Sequence, residues 1–169
     1  IECFNNVIVN KDSTYIYGDR ADFNGLTNIA QVYSPLVKTV DGDMTMYSYD
    51  LEFNTLTKIG TYLRGGTISQ KDNLMESREA IYHAEEKDIY FVGNVVMRNE
   101  EYTIESDSMG YNFDTEITKF YKKANIWNKD GDFLTADKGT YDRQNDTYVF
   151  TQNSYVMTKD QQMWADSIT

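Results

Sequence analysis

Apolar and polar positions along this chain recur with a period of about 29 residues. Each unit has an aliphatic residue, a gap, a small residue, an anchor and, four places after the anchor, an aromatic. The series reads Ile16, Gly18, Asp19, Phe23; Met46, Ser48, Tyr49, Phe53; Met75, Ser77, Arg78, Tyr82. It continues as Ile104, Ser106, Asp107, Tyr111; Leu134, Ala136, Asp137, Tyr141; and Met163, Ala165, Asp166. Successive anchors stand 30, 29, 29, 30 and 29 residues apart. A fixed period in this range marks stacked supersecondary units, none able to bury its apolar side alone.

A second series runs between the anchors. Val32, Tyr62, Phe91, Phe120 and Phe150 follow them by thirteen residues, and Lys38, Ile68, Met97, Ile126 and Val156 come six later. Turn-forming residues separate the two series, among them Asn24-Gly25, Asn54-Thr55, Asp41-Gly42-Asp43 and Lys129-Asp130-Gly131. Turns about every 15 residues between β-branched and aromatic runs predict an all-β chain of about a dozen strands, two per repeat. Helical periodicity is sustained nowhere. The aliphatic and aromatic of each anchor unit lie seven apart, an odd number, so in an unbroken strand they would face opposite sides. The repeated small residue therefore predicts a bulge or corner that switches the parity. Similar bends are expected at Arg64-Gly65-Gly66 and Gly93-Asn94. One rung per repeat in each of two facing sheets would give six rungs, roughly 29 Å of stack, with two open edges available for use.

Composition narrows the function. The net charge of −11 argues against a nucleic-acid partner, which needs a basic footprint, and against adsorption to an anionic bilayer. No apolar run reaches the 18 residues of a membrane-spanning helix. Cys3 is the only cysteine, so neither an internal disulfide nor a cysteine-based zinc site can form. No linker interrupts the repeat, so residues 1–169 are expected to form one domain. A chain beginning at Ile1 rather than Met is read as a processed or trimmed segment.

Three catalytic readings are weak. His83, the sole histidine, occupies a turn position held elsewhere by Asn24, Asn54, Asn112 or Asp142, and has no partner histidine for a metal. The acidic turns Asp41-Gly42-Asp43 and Asp130-Gly131-Asp132 lack the full spacing of a calcium loop. A carboxylate dyad among the anchors is interrupted by Tyr49 and Arg78. No enzyme, cofactor or metal is expected. What remains is the interior: a stripe of Ile16, Met46, Met75, Ile104, Leu134 and Met163, a second containing Phe53, and a third of Tyr62, Phe91, Phe120 and Phe150. These stripes fit either a dry core or a lengthwise apolar trough in which methionine adapts to acyl chains.

The segments Tyr90-Phe91-Val92-Gly93-Asn94-Val95-Val96-Met97, Tyr102-Thr103-Ile104-Glu105-Ser106-Asp107 and Phe133-Leu134-Thr135-Ala136-Asp137 resemble the repeat of the OstA-like family of lipopolysaccharide-transport proteins, which includes LptA, LptC and the N-terminal domain of LptD. The resemblance is strongest from Glu79 to Asp166, and Tyr49 and Arg78 depart from the anchor Asp. It implies a periplasmic open β-jelly roll whose groove shields the acyl chains of lipopolysaccharide or lipid A. It further implies head-to-tail joining through edge strands, to itself or to other Lpt components. On this reading the groove is lined by Ile16, Met46, Met75, Ile104, Leu134, Met163, Phe53, Tyr62, Phe91, Phe120 and Phe150. The rival, from another class, is a structural or adhesive β-solenoid with a closed core.

Overall fold

The computed structural model describes residues 1–169. Its strands, in chain order, are β1 (Glu2–Lys11), β2 (Thr14–Asn24), β3 (Ile29–Tyr33), β4 (Val37–Asp41), β5 (Met44–Ser48), β6 (Leu51–Asn54), β7 (Ile59–Tyr62), β8 (Gly66–Gln70) and β9 (Asn73–Ser77). They continue as β10 (Glu79–His83), β11 (Asp88–Arg98), β12 (Tyr102–Asn112), β13 (Ile117–Phe120), β14 (Ala124–Asn128), β15 (Phe133–Ala136), β16 (Lys138–Asp142), β17 (Thr147–Met157) and β18 (Gln162–Ile168). Six of these, β1, β2, β11, β12, β17 and β18, run through a bend. The other twelve pair off as two halves of a bent strand, so the chain makes twelve bent passes.

Every pass contributes one half to each of two antiparallel ladders. The first ladder runs through β1, β2, β4, β5, β8, β9, β11, β12, β14, β15, β17 and β18. The second uses the other halves of the six long strands, with β3, β6, β7, β10, β13 and β16. The two therefore share a corner ridge and diverge from it like the limbs of a V. Each ladder carries twelve rungs rather than six, because each repeat holds two passes; at ~4.8 Å per rung the stack is roughly 50 Å long.

The corners fall where the parity argument put them. Ser48, Ser77 and Ala136 end their half-strands, Gly18 and Ser106 lie at mid-strand, and the partner passes shift register at Phe4/Val7, Val92/Val95 and Thr151/Ser154. Those shifts are built from pairs of left-handed residues, Asn5-Asn6, Gly93-Asn94 and Gln152-Asn153. Two of the anchors stand on this ridge as acceptors for the bend. Asp19 receives the Ser34 hydroxyl at 3.0 Å and Asp137 the Asn153 amide at 2.6 Å. In the second repeat Asp50, one place after Tyr49, takes over, accepting the backbone N–H groups of Leu63 and Arg64. In the third, Arg78 lies along Gly93 and pairs with Glu79.

Inside the V lies a contiguous cluster of 28 buried apolar residues. The three stripes predicted from the sequence point into it over most of their length, because the bend restores a common inward face to positions of odd separation.

Candidate functional site

Of the eleven residues expected to line a groove, nine are sealed in the core: Ile16, Met46, Met75, Ile104, Phe53, Tyr62, Phe91, Phe120 and Phe150 are all 3% exposed or less. Leu134 is half-buried and Met163 is 49% exposed. The apolar column is thus continuous from Ile16 to Met163 but reaches solvent only toward its C-terminal end.

What closes the rest is the side opposite the corner, where the tips of the two ladders meet. Tips of the second ladder share one design. A leading Asn24, Asn54, Asn112 or Asp142 accepts backbone N–H groups two or three residues on, and the turn ends on a left-handed residue, Asn28, Lys58, Lys87, Glu116 or Asp146. Left-handed backbone disfavours side chains with a Cβ by about 1–2 kcal/mol, which is why Gly and Asn usually hold it. Lys58, Lys87 and Glu116 nevertheless occupy it here, and their side chains extend away from the turn.

They reach across the mouth. Lys58 Nζ lies 2.8 Å from Asp12, Lys87 Nζ 2.7 Å from Asp41, and Lys71 pairs with Glu116. Arg143 clamps Asp72 with two bonds of 2.8 and 2.7 Å and also approaches Glu116. The Lys87–Asp41 and Lys71–Glu116 partners are 46 and 45 residues apart, so a first-ladder tip meets the second-ladder tip three passes further on. Beneath this seam Tyr82 donates to Asp41 at 2.9 Å and Tyr111 to Gln70 at 3.2 Å, while Gln70 donates to the Phe113 carbonyl. The Phe113 ring stands edge-on between Tyr82 and Tyr111 as a plug.

Electrostatics favour the closed seam. Burial pushes the Asp41 carboxyl up, but hydrogen bonds from Lys87, Ser13, Tyr82 and Thr14 outweigh it and hold the group below the ordinary range. Arg143 holds Asp72 low in the same way, and Lys58 holds Asp12 low. The buried phenols of Tyr62 and Tyr102 are pushed up to about 12 by desolvation, so both remain neutral hydroxyls.

One step further along, the seam fails. The next tips carry Glu101 on one ladder and Asp146 on the other, acid against acid. Here a cleft of about 230 Å³ opens between Tyr102, Ile104, Ile126, Tyr141 and Tyr148, rimmed by Glu101, Lys129, Asp130 and Asp146. The Tyr102 hydroxyl, buried behind the last ion pair, has no hydrogen-bond partner. Sequence reasoning found the stripes but not the seam; the charged residues at 58, 87, 116 and 146, spaced like the repeat, were the available signal. It also missed an aromatic ladder on the outer face, where Trp127, Phe133, Tyr155 and Trp164 follow one another with ring centroids 5.3, 6.2 and 5.0 Å apart.

His83 is a half-buried strand end paired with Asp88, Asp41 belongs to the seam, and Asp132 closes a tight turn through Asn128.

Fold and interior together define a class: a bent-strand β-jelly roll that wraps a lengthwise apolar column and leaves both stack ends unpaired. Two overlapping stretches, residues 1–107 and 94–166, match the family described as OstA-like protein, and the chain belongs to that lipopolysaccharide-transport family. Its fold is similar to that of LptH from Pseudomonas aeruginosa, an LptA-homologous periplasmic component of the lipopolysaccharide transport device. The TM-score is 0.56 at 12% identity, over 62% of this chain and 79% of that one. No curated protein matches the chain in sequence.

Proposed function

We propose that this chain shields the acyl chains of lipopolysaccharide from water in the periplasm, in transit to the outer membrane, using the apolar column between its ladders. The observation that carries the reading is the column itself, sealed along most of its length and running in register through half-buried Leu134 to Met163, in a chain of the OstA-like family. The role is passive and non-catalytic. Burial of about 0.8 kcal/mol per methylene lets a few acyl chains outweigh the screened repulsion between an anionic glycolipid and a chain of charge −11. The continuous ladders support reading residues 1–169 as one domain. The unpaired outer edges of β1 and β18 suit end-to-end addition of a further strand, from another copy or another Lpt component.

Native mass spectrometry with and without lipopolysaccharide tests this. A stoichiometric lipid adduct is expected, and Leu134→Asp with Met163→Asp should weaken it by roughly tenfold or more while the fold survives, since neither side chain is sealed. Phe91→Asp, by contrast, should unfold the chain. The near-complete burial of nine of the eleven column residues favours the second reading, a closed structural solenoid. A lipid-free monomer under conditions where a known transporter binds would select it.

A further inference from the structure

We infer that the mouth of the V is an ionic latch, and that an acyl chain enters at the one step where the latch is missing. The inference rests on reading the column as an acyl-chain site and adds how access to it is controlled.

Three observations converge. Four cross-mouth pairs, Asp12–Lys58, Asp41–Lys87, Glu116–Lys71 and Asp72–Arg143, tie the tips of one ladder to those of the other, and no backbone hydrogen bond joins these partners. Lys58, Lys87 and Glu116 hold left-handed backbone positions that Asn or Gly would hold more easily, and each places a charged end in one of these pairs. The equivalent left-handed residue of the last turn, Asp146, faces Glu101 across the cleft with no ion pair of its own, while Arg143 of the same turn reaches back to Asp72, and there the mouth stands open on Tyr102, Ile104, Ile126, Tyr141 and Tyr148.

The corner ridge makes this arrangement a latch rather than a brace. Each pass bends at its own bulge or break, so the limbs can part at the tips while every ladder hydrogen bond is kept. Parting Lys87 from Asp41 exposes Ala84, on the turn that carries Lys87, and Met44, the first residue of β5 after the turn that follows Asp41, and extends the cleft toward the N-terminal end of the column. The rim sets three acids, Glu101, Asp130 and Asp146, against one base, Lys129, and so disfavours a bare phosphate at the entrance. The class of ligand admitted there is a hydrocarbon chain whose adjacent group is neutral or carries a counter-cation.

The test reads mouth opening with and without lipid. In a Cys3→Ser background, Ala84→Cys places the only thiol beneath the seam, at a position 7% exposed. Its rate of modification by a small alkylating reagent, followed by mass, should rise about tenfold with Lys87→Gln and return to the parent rate with Lys87→Arg. In the unmutated seam it should rise about twofold between about 50 mM and about 500 mM salt, a small response because the Asp41 carboxylate is buried and only the Lys87 side of the pair is reached by salt. Uptake of a neutral fluorescent long-chain alcohol should quicken in the same order and slow with Asp146→Lys, which completes the missing pair. Thiol rates indifferent to both salt and Lys87 overturn the latch, whether or not the alcohol binds. Thiol rates that respond as expected, with no alcohol bound by any variant, uphold the latch and overturn the lipid reading. Should Lys87→Gln not fold by circular dichroism, the salt series on the unmutated seam decides alone.

Discussion

Asp41 gathers Ser13, Thr14, Tyr82 and Lys87 around a carboxylate with no exposed surface. Removing the ammonium leaves that charge buried on neutral donors only, so Lys87→Gln should lower unfolding free energy by roughly 2 kcal/mol in urea titration. The pH response follows from the direction of the shift. Asp41 and Asp72 lie below their ordinary carboxyl value in the folded chain, so their contribution is complete above the unfolded value near 3.9 and lost as pH falls through the folded one. Stability from these groups should be level from pH 5 to 8 and fall only below about pH 4, checked by acid titration of the circular dichroism signal. Substituting Lys87 should move that loss to higher pH. Burial of Ile16 or Phe91 was legible in the sequence because it follows local alternation. The partners of Asp41 were not, because they come from turns that only the assembled V brings together.

At the scale of the strand, the corners decide what can be changed. Gly139, on β16, packs against β17 so closely that an added Cβ would lie 2.7 Å from the Val149 carbonyl oxygen and 2.7 Å from the Phe150 ring. The backbone there belongs to the ladder and cannot retreat, so Gly139→Ala should lower thermal stability by about 1–3 kcal/mol. Gly25 sits in a turn with only the Phe23 ring at 3.8 Å, and Gly25→Ala should be neutral within about 0.5 kcal/mol. The corners of the anchor passes were readable from one arithmetical fact, the odd spacing between aliphatic and aromatic, whereas those at Asn5-Asn6 and Gln152-Asn153 were not. The number of rungs was not. Both halves of a bent pass look like separate strands in sequence, and only pairing reveals that each repeat crosses each ladder twice. The misplaced anchor at Tyr49 has a similar cause: Asp50 can serve the same bend from the next residue, and a strict period hides it.

For the molecule as a whole, the two ends differ from the middle. β18 presents Met163 inward and Trp164 outward, 49% and 69% exposed, on an edge with no neighbour. Placing lysine at both should suppress any end-to-end association without unfolding the chain, seen as a smaller sedimentation coefficient at the highest concentrations. The site was legible as a set of stripes, and its family repeat was legible in Glu79–Asp166. The open cleft was hidden, since it depends on which turns face each other. That facing has a geometric consequence. Because each tip meets one three passes further on, the two walls are displaced along the mouth by roughly 14 Å at ~4.8 Å per rung. The stack therefore ends in steps instead of flat faces: the second wall overhangs at the N-terminal end and the first at the C-terminal end. A strand added at either end therefore meets the edge of one wall and, about 14 Å away, the ledge of the other, so both walls are reached at different heights.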